Sequence, residues 1–487
     1  MQNYKKQFKN KKITIMGLGI LGRGLGYTKF LAELGADLTV TDLKTKEQLA
    51  TSIKALKKFK NIKFVLGEHR LEDFRDKDMV IKAAGVPFDS IYIKEARKNK
   101  IPVEMDVSLF AKCAPEVMIV GVTGTRGKSM TTAIIYEILK QNEKFLGKKG
   151  SPIGLRPRVY IGGNVRGVAT LPLLEKVKAG DILVCELDSW QLQGFGDAKI
   201  SPNISVFTSF MPDHMNYYGS TMLTTSKKAM ERYFNDKANI FKYQKKGDIL
   251  IIRPGVKKLI PENIKSRLIV INIKNMGKYE FTVPGKFQQE NLACAVEVVK
   301  QFKIPASRIG RAVKNFKGLE GRLQYIKTIM SSTSSPREGV KIYNDNNATT
   351  PEATMAGIEA LSVNFPYPRG TGTSRTPGVW EKRKKIVLIC GGADKGLDLN
   401  SFVKVINKYC KAVLMIPGTG TDKLLSHKVG SSKVHKVKNL NEAVKEAVKK
   451  SKKGDVILFS PAFASFGMFN NEYERGDQFL EIIKKLK

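Results

Sequence analysis

The sequence predicts an α/β protein of three domains built on parallel, doubly wound sheets, and three observations carry that expectation. Short apolar runs alternate with helical patterns along the whole chain: "ITIMG", "DLTVTD", "DMVIKAAG", "VMIVGVTG", "DILVCELDS", "ISVFTSF", "DILIIRPG", "IVLICGG", "AVLMIPG" and "DVILFSPA". Strands of this kind, separated by helices, fit parallel sheets covered on both faces. Several runs end in glycine-rich turns, as ligand loops do at strand ends in open parallel sheets. The length, 487 residues, exceeds what one hydrophobic core serves. Motif spacing divides the chain into units 1–112, 113–316 and 317–487.

The first unit opens with "ITIMGLGILGRG", where Gly17, Gly19 and Gly22 follow a strand, and Asp42 ends the next strand twenty residues beyond Gly22. Glycines let backbone amides approach a diphosphate, and the acid reaches a ribose hydroxyl. A nicotinamide cofactor and a UDP-sugar both satisfy that chemistry, and a tight turn without ligand is the plain alternative.

The second unit begins with "VTGTRGKSM", in which Gly124, Thr125, Gly127, Lys128 and Ser129 lie between an apolar run and the helical segment "TTAIIYEILK". Amides, an ammonium and a hydroxyl at a helix N-terminus serve phosphate and magnesium together. Strict Walker spacing fails, because the position that needs its first glycine is Val122. Downstream, Glu186 closes the strand of "VCELDSWQL", where a carboxylate can ligate magnesium. Then "FTSFMPDHMNYYGS" places Asp213, His214 and Asn216 beyond another strand. No apolar helical periodicity surrounds His214, which favours a metal or substrate role over a core position. In the third unit "YNDNNATTPEAT", "CGGADKGLD" and "SPAFASFGMFNNEYERGDQF" each follow an apolar strand, and individually identify no chemistry.

Lys and Arg total 84 against 45 acidic residues, a formal charge of +39. Such charge suits nucleic acid, anionic surfaces or acidic small molecules. The lysines are scattered along the chain rather than clustered, and no nucleic-acid motif accompanies them, so no specific nucleic-acid partner is expected. Five widely spaced cysteines without a CxxC read as thiols of a reducing compartment. No signal peptide and no apolar run of roughly 18 residues is present, so a soluble cytoplasmic protein without membrane insertion is expected. Residues 331–339 and 362–384, rich in Ser, Thr, Pro, Gly and charge, read as surface insertions.

Taken in order, "GLGILG", "AAGVP", "TGTRGKS", "IGGNV", "ELDSWQL", "DHMNYYGS", "GLEGRLQ", "NDNNATT", "GGADKG" and "SPAFASFGMF...ERG" resemble the Mur ligase family. The TGTxGKS form belongs to that superfamily, and the closing segment resembles the glutamate-adding member. The resemblance implies a Rossmann-like N-terminal domain for the UDP moiety, a central P-loop-type ATPase domain, and a C-terminal Rossmann-like domain that brings the amino acid. It implies ATP, Mg2+, UDP-N-acetylmuramoyl-L-alanine and D-glutamate as ligands, with phosphorylation of the alanyl carboxylate preceding attack by the amine. A monomer is expected.

By position in the family's motifs, Lys128 would hold ATP phosphates, Ser129 and Glu186 one magnesium, and His214 a second. Gly17, Gly19, Gly22, Asp42 and Asn164 would meet the UDP-sugar. Asn291, Arg322 and Asp345 match nucleotide positions, and Thr349, Lys395 and Ser465 match the amino-acid pocket. The family's carbamylated lysine, fourteen residues past the histidine, lands on Lys228, with Lys227 as a competing register. The chain departs from the family at Arg126, Arg166, Asp188, Phe287, Gln288, Asn347 and Glu472. A ligase for another amino acid, such as L-glutamate, or for another acceptor, and an NAD-dependent dehydrogenase are the alternatives.

Overall fold

A computed structural model describes residues 4–87, 89–146, 156–213, 215–219, 226–274, 276–329, 339–362, 385–427, 429–430 and 433–486. His214 and nearly all of the two insertions fall outside these. The chain divides into two compact units, Met1–Met276 with Glu290–Ala312, and Gly277–Gln289 with Val313–Lys487.

The first unit carries two sheets. One comprises β1 (Lys12–Met16), β2 (Asp37–Asp42), β3 (Ile62–Leu66), β4 (Met79–Lys82) and β5 (Val103–Glu104), in the order β3-β2-β1-β4-β5. The other comprises β6 (Met118–Thr123), β7 (Val159–Gly163), β8 (Ile182–Glu186), β9 (Ile204–Phe207), β10 (Ile249–Ile252) and β11 (Arg267–Val270), in the order β11-β10-β9-β6-β8-β7. Every pairing in both is parallel. The second unit holds β12 (Gln324–Ile329), β13 (Val340–Asn344), β14 (Ile386–Gly391), β15 (Cys410–Ile416), β16 (Val434–Lys436) and β17 (Val456–Phe459), in the order β12-β13-β17-β14-β15-β16.

The ten quoted runs, and the strand expected before "YNDNNATT", are the interior strands of these sheets. Strands such as β8 and β14 are buried at every position, because helices cover both faces. The edge strands are less buried: β11, for instance, is exposed or half-exposed throughout although three of its four residues are apolar. One pairing departs from the all-parallel expectation, since β12 runs antiparallel to β13. Their connection, residues 330–339, is shorter than the dozen or so residues a parallel crossover needs. No helix among the described residues is long and apolar enough to cross a membrane.

Close backbone approach fixes the first glycine loop. A Cβ on Gly17 (φ +94°) would lie 2.8 Å from Ala83 Cβ, so the loop packs directly on the segment after β4. The Asp42 carboxylate is buried and accepts from Gly19 N at 2.8 Å and Lys44 N at 2.9 Å, which closes the loop from the neighbouring strand. The helix Arg23–Glu33 then meets the loop that follows β7: a Cβ on Gly26 would stand 2.6 Å from Ala169 Cβ. Half-buried Asp106 pins that same loop by accepting from Thr170 N at 2.9 Å and Leu171 N at 2.7 Å.

Lys82, the last residue of β4, is buried and donates from Nζ to Val86 O at 2.7 Å. Burial pushes its ammonium down to about 7, against the opposing pull of Asp188, Asp197 and Asp236 and with a small contribution from Arg97. The unfolded chain keeps this proton up to pH 10.5 while the folded chain releases it near pH 7, so stability gained through this group rises with pH across that window. Lys82→Met is expected to remove that rise, by up to ~1.4 kcal/mol per pH unit. Unfolding midpoints of both proteins between pH 7 and 10 measure it, and parallel slopes would refute the depressed value.

Candidate active site

The phosphate-type loop is built by the end of β6, two glycines in left-handed or glycine-only conformations, and the helix Lys128–Gln141. Gly124 (φ +143°) lies against the segment after β9, where an added Cβ would come within 2.1 Å of Thr208 Oγ1. Gly127 (φ +91°) lies against Asn291, where one would come within 2.5 Å of Oδ1. The loop's own polar groups are tied down: Thr125 N donates to Ser209 O at 2.7 Å, Arg126 N to Ser209 Oγ at 2.8 Å, and Thr208 Oγ1 to Arg126 O at 2.5 Å. Lys128 Nζ lies over the loop, donating to Gly124 O at 2.9 Å and Thr125 O at 3.2 Å. Ser129 occupies the first turn of the helix. The Arg126 guanidinium turns to Asp213, 3.2 Å away.

Register brings Glu186 to the same place. Val122 of β6 pairs with Glu186 of β8, which pairs in turn with Gly163 of β7. Glu186 is buried, and its carbonyl accepts from Asn164 N at 2.7 Å, so Ser129, Glu186 and Asn164 stand on adjacent strand ends or the turns that leave them. Asp188, where the family has serine, caps the helix Ser189–Ala198 in a capping box with Gln191. That substitution exchanges one capping side chain for another.

The helix Ser226–Ala238 carries both candidate lysines, Lys227 and Lys228, exposed, and a third lysine, Lys237, on its buried face. Lys228 is exposed, whereas Ala229, Tyr233 and Lys237, four residues apart, share the buried face. Lys237 is 1% exposed and its Nζ donates to Gly124 O at 3.0 Å, beside the Tyr233 ring at 4.8 Å. Burial, reinforced by the nearby charge of Lys128, drives its ammonium far below the usual lysine range. Two lysine nitrogens, of Lys128 and Lys237, thus meet on one carbonyl of the phosphate loop.

Asn291 is buried beside Gly127, and its Oδ1 accepts from Thr131 Oγ1 at 3.1 Å and Arg253 Nη2 at 2.5 Å. Arg253 also donates to Glu290 at 2.8 Å.

In the second unit three loops leave neighbouring strand ends: residues 345–350 after β13, 391–396 after β14 and 460–466 after β17. Asp345 is buried and accepts from Leu323 N and Ser460 Oγ, each at 2.9 Å. Burial pushes its carboxyl up to about 7, although both hydrogen bonds and the charge of Arg322 pull it back. Lys395 Nζ donates to Thr349 Oγ1 at 3.1 Å, and Ser465 is buried nearby on the third loop. Backbone bonds join the loops, from Ala462 N to Ala348 O at 2.9 Å and from Ala393 N to Ala464 O at 2.9 Å. Asn347 donates to Glu320 O at 3.3 Å, tying its loop to the turn that carries Arg322.

Three further side chains stand out that motif reading passed over: Lys237, Arg253 and Arg475. Only Lys237 had a readable signal, the four-residue spacing from Ala229 and Tyr233.

Family models match two stretches of the chain, residues 11–104 to the Mur ligase MurD-like N-terminal domain and residues 122–267 to the Mur ligase middle domain. The UDP-N-acetylmuramoylalanine--D-glutamate ligase of Borreliella burgdorferi is 34% identical over 504 aligned positions, covering 99% of each chain. The enzyme of that name from Roseiflexus sp. is 32% identical, covering 98% of this chain and 99% of its own. Among solved structures, the UDP-N-acetylmuramate-alanine ligase MurC of Thermotoga maritima shares the fold, with a TM-score of 0.58 at 18% identity over 98% of this chain and 100% of its own. With a full-length relative above 30% identity and glycine loops built as described, the chain belongs to the Mur ligase family.

Proposed function

We propose that this chain is the ATP-dependent ligase that joins D-glutamate to UDP-N-acetylmuramoyl-L-alanine in peptidoglycan precursor synthesis, acting as a cytoplasmic monomer. The observation that carries the reading is the end-to-end match to ligases of that name, which runs through all three sheets. Residues 1–112 would bind the UDP-sugar, 113–316 ATP, and 317–487 the amino acid.

Gly17, Gly19 and Gly22 shape the turn that receives the UDP diphosphate, held closed by Gly17 N on Thr41 O and Gly19 N on Asp42, and Asn164 is assigned to the muramoyl part. Gly124 and Gly127 open the loop around the ATP phosphates, Thr125 is fixed in it by its bond to Ser209 O, and Lys128 turns its ammonium to the phosphates. Asn291, Arg322 and Asp345 are each assigned to the nucleotide by their place in the family's motifs. The hydroxyl of Ser129 and the carboxylate of Glu186 are hard oxygen donors on adjacent elements, a set that fits Mg2+ shared with phosphate. Mg2+ supplies neutralisation of the charge that develops as the alanyl carboxylate takes the phosphoryl group. His214 is assigned to a second ion, and Thr349, Lys395 and Ser465 to the carboxylates of the incoming amino acid. Its amine then attacks the activated carbonyl and phosphate leaves.

A carbamylated lysine would add a negative bridge for the second ion. The amine must be unprotonated to attack CO2, with loss of one proton as the carbamate forms. Lys228, reached by counting from His214, is exposed. Lys237 is buried on the phosphate loop with a depressed ammonium, and is the position we favour.

The test is a ligase assay against D- and L-amino acids. Phosphate release is expected only with ATP, UDP-N-acetylmuramoyl-L-alanine and D-glutamate together. Release with L-glutamate instead would move the acceptor assignment, and release with no amino acid in either configuration would end the ligase reading.

A further inference from the structure

Arg475 lies near the start of the helix Glu472–Lys485 and is 0% exposed. An arginine is tolerated in that position only when its donors are satisfied. Its Nε donates to Asn346 Oδ1 at 2.8 Å, Nη2 to Asn346 O at 3.1 Å, and Nη1 to Phe463 O at 3.2 Å. Asn346 belongs to the loop that carries Thr349, and Phe463 to the loop that carries Ser465. The second amide atom of Asn346 is engaged too, Nδ2 donating to Glu472 O at 2.6 Å.

We propose that Arg475 is a positioning residue for the acceptor amino acid, a buried guanidinium that fixes the 345–350 and 460–466 loops in one register. The inference rests on the assignment of Thr349, Lys395 and Ser465 to that acceptor. A planar fork with five donors can serve two loops at once, which a lysine ammonium at the same place cannot reproduce. Two further ties join these loops, Ala462 N to Ala348 O and Ser460 Oγ to Asp345, each at 2.9 Å, and both lie on the strand side of Thr349 and Ser465. Arg475 adds the tie at Phe463, closer to Ser465, and so bears on the distance from Thr349 to Ser465. The charge is retained, since burial lowers the guanidinium only to about 10. Neither Thr349 nor Ser465 touches Arg475 in any bond described above, so the effect travels through the loops.

The experiment measures Michaelis constants for all three substrates in wild type, R475K and R475A, with and without added guanidinium. R475A is expected to raise the constant for the amino acid at least about tenfold, as small misplacements do. The constants for ATP and the UDP-sugar should stay within about twofold: the phosphate and UDP-sugar loops sit on other sheets, and Asp345, the nucleotide position in the clamped loop, is held by Leu323 N and Ser460 Oγ rather than by Arg475. R475K should fall between, and guanidinium should draw R475A back toward wild type. Three constants rising together, or an unchanged amino-acid constant, would overturn the proposal. If R475A does not fold, N346A removes the Oδ1 and Nδ2 bonds and should shift the same constant in the same direction. Amide exchange supplies a readout without turnover: both loops should exchange faster in R475K, and unchanged exchange would refute the clamp. Should wild type ligate no amino acid while exchange rises as expected, the functional assignment would fail and the clamp would stand.

Discussion

Lys237→Ala is expected to lower kcat by about 10² to 10³, the loss typical of one removed electrostatic contributor, and to recover part of it when a short carboxylate is supplied. Lys228→Ala is expected to remain within about twofold of wild type, as exposed surface substitutions do. The contrast follows from where one helix points its side chains. Lys237 shares the buried stripe of Ala229 and Tyr233 and ends on the Gly124 carbonyl, whereas Lys228 lies exposed two turns earlier. A carboxylate added to Lys237 Nζ would introduce negative charge at the phosphate loop, where Lys128 already stands. It would therefore relieve the like-charge pairing that burial makes costly. Labelled bicarbonate offers an independent check, because its carbamate signal should disappear in Lys237→Ala and persist in Lys228→Ala. Rescue of Lys228→Ala alone by the short acid would return the carbamate to the position counted from His214.

Counting from His214 and reading the helix face select different lysines, because the two signals rest on different physics. An offset from a histidine assumes a loop of fixed length, and residues 220–225 between the two motifs give no such assurance. Helical spacing depends only on 3.6 residues per turn and locates the buried face regardless of what precedes it. The fold was legible for a similar reason. Interior strands are buried on both faces and must be apolar, so "DILVCE" and "IVLICG" announce themselves, while edge strands such as β7 and β11 bear no such requirement. Antiparallel pairing of β12 was hidden, because its half-exposed residues carry no sheet-directed pattern. Gly124, Gly127 and Glu186 were legible as residues at or just beyond strand ends, and register sets Glu186 opposite Val122, two residues before Gly124. Arg475 stood inside the quoted closing segment without a role, since its partners lie on two loops that no local spacing connects to it.

Gly124→Ala should nearly abolish ATP use while leaving UDP-sugar binding intact. Two penalties coincide at this residue. At φ +143° only glycine is comfortable, which costs an alanine about 1 to 3 kcal/mol. The new methyl would also stand 2.1 Å from Thr208 Oγ1 and 2.8 Å from Ser209 N, and overpacking of that kind adds about 1 to 3 kcal/mol. Neither neighbour can retreat cheaply: Thr208 Oγ1 bonds Arg126 O at 2.5 Å, and Ser209 O accepts from Thr125 N at 2.7 Å. Relief must come from the loop itself, which would carry the Gly124 carbonyl away from Lys128 and Lys237. The Michaelis constant for ATP should rise at least about a hundredfold, corresponding to roughly 3 kcal/mol of the strain. Gly247→Ala is the matched control, with φ +101° and no atom within 4 Å of the new methyl, so it bears strain without collision. It should lower stability and leave the ATP constant in place. Wild-type ATP affinity in Gly124→Ala would mean that phosphate is held somewhere other than this loop, while loss of UDP-sugar binding would mean that the two nucleotide sites are not independently built.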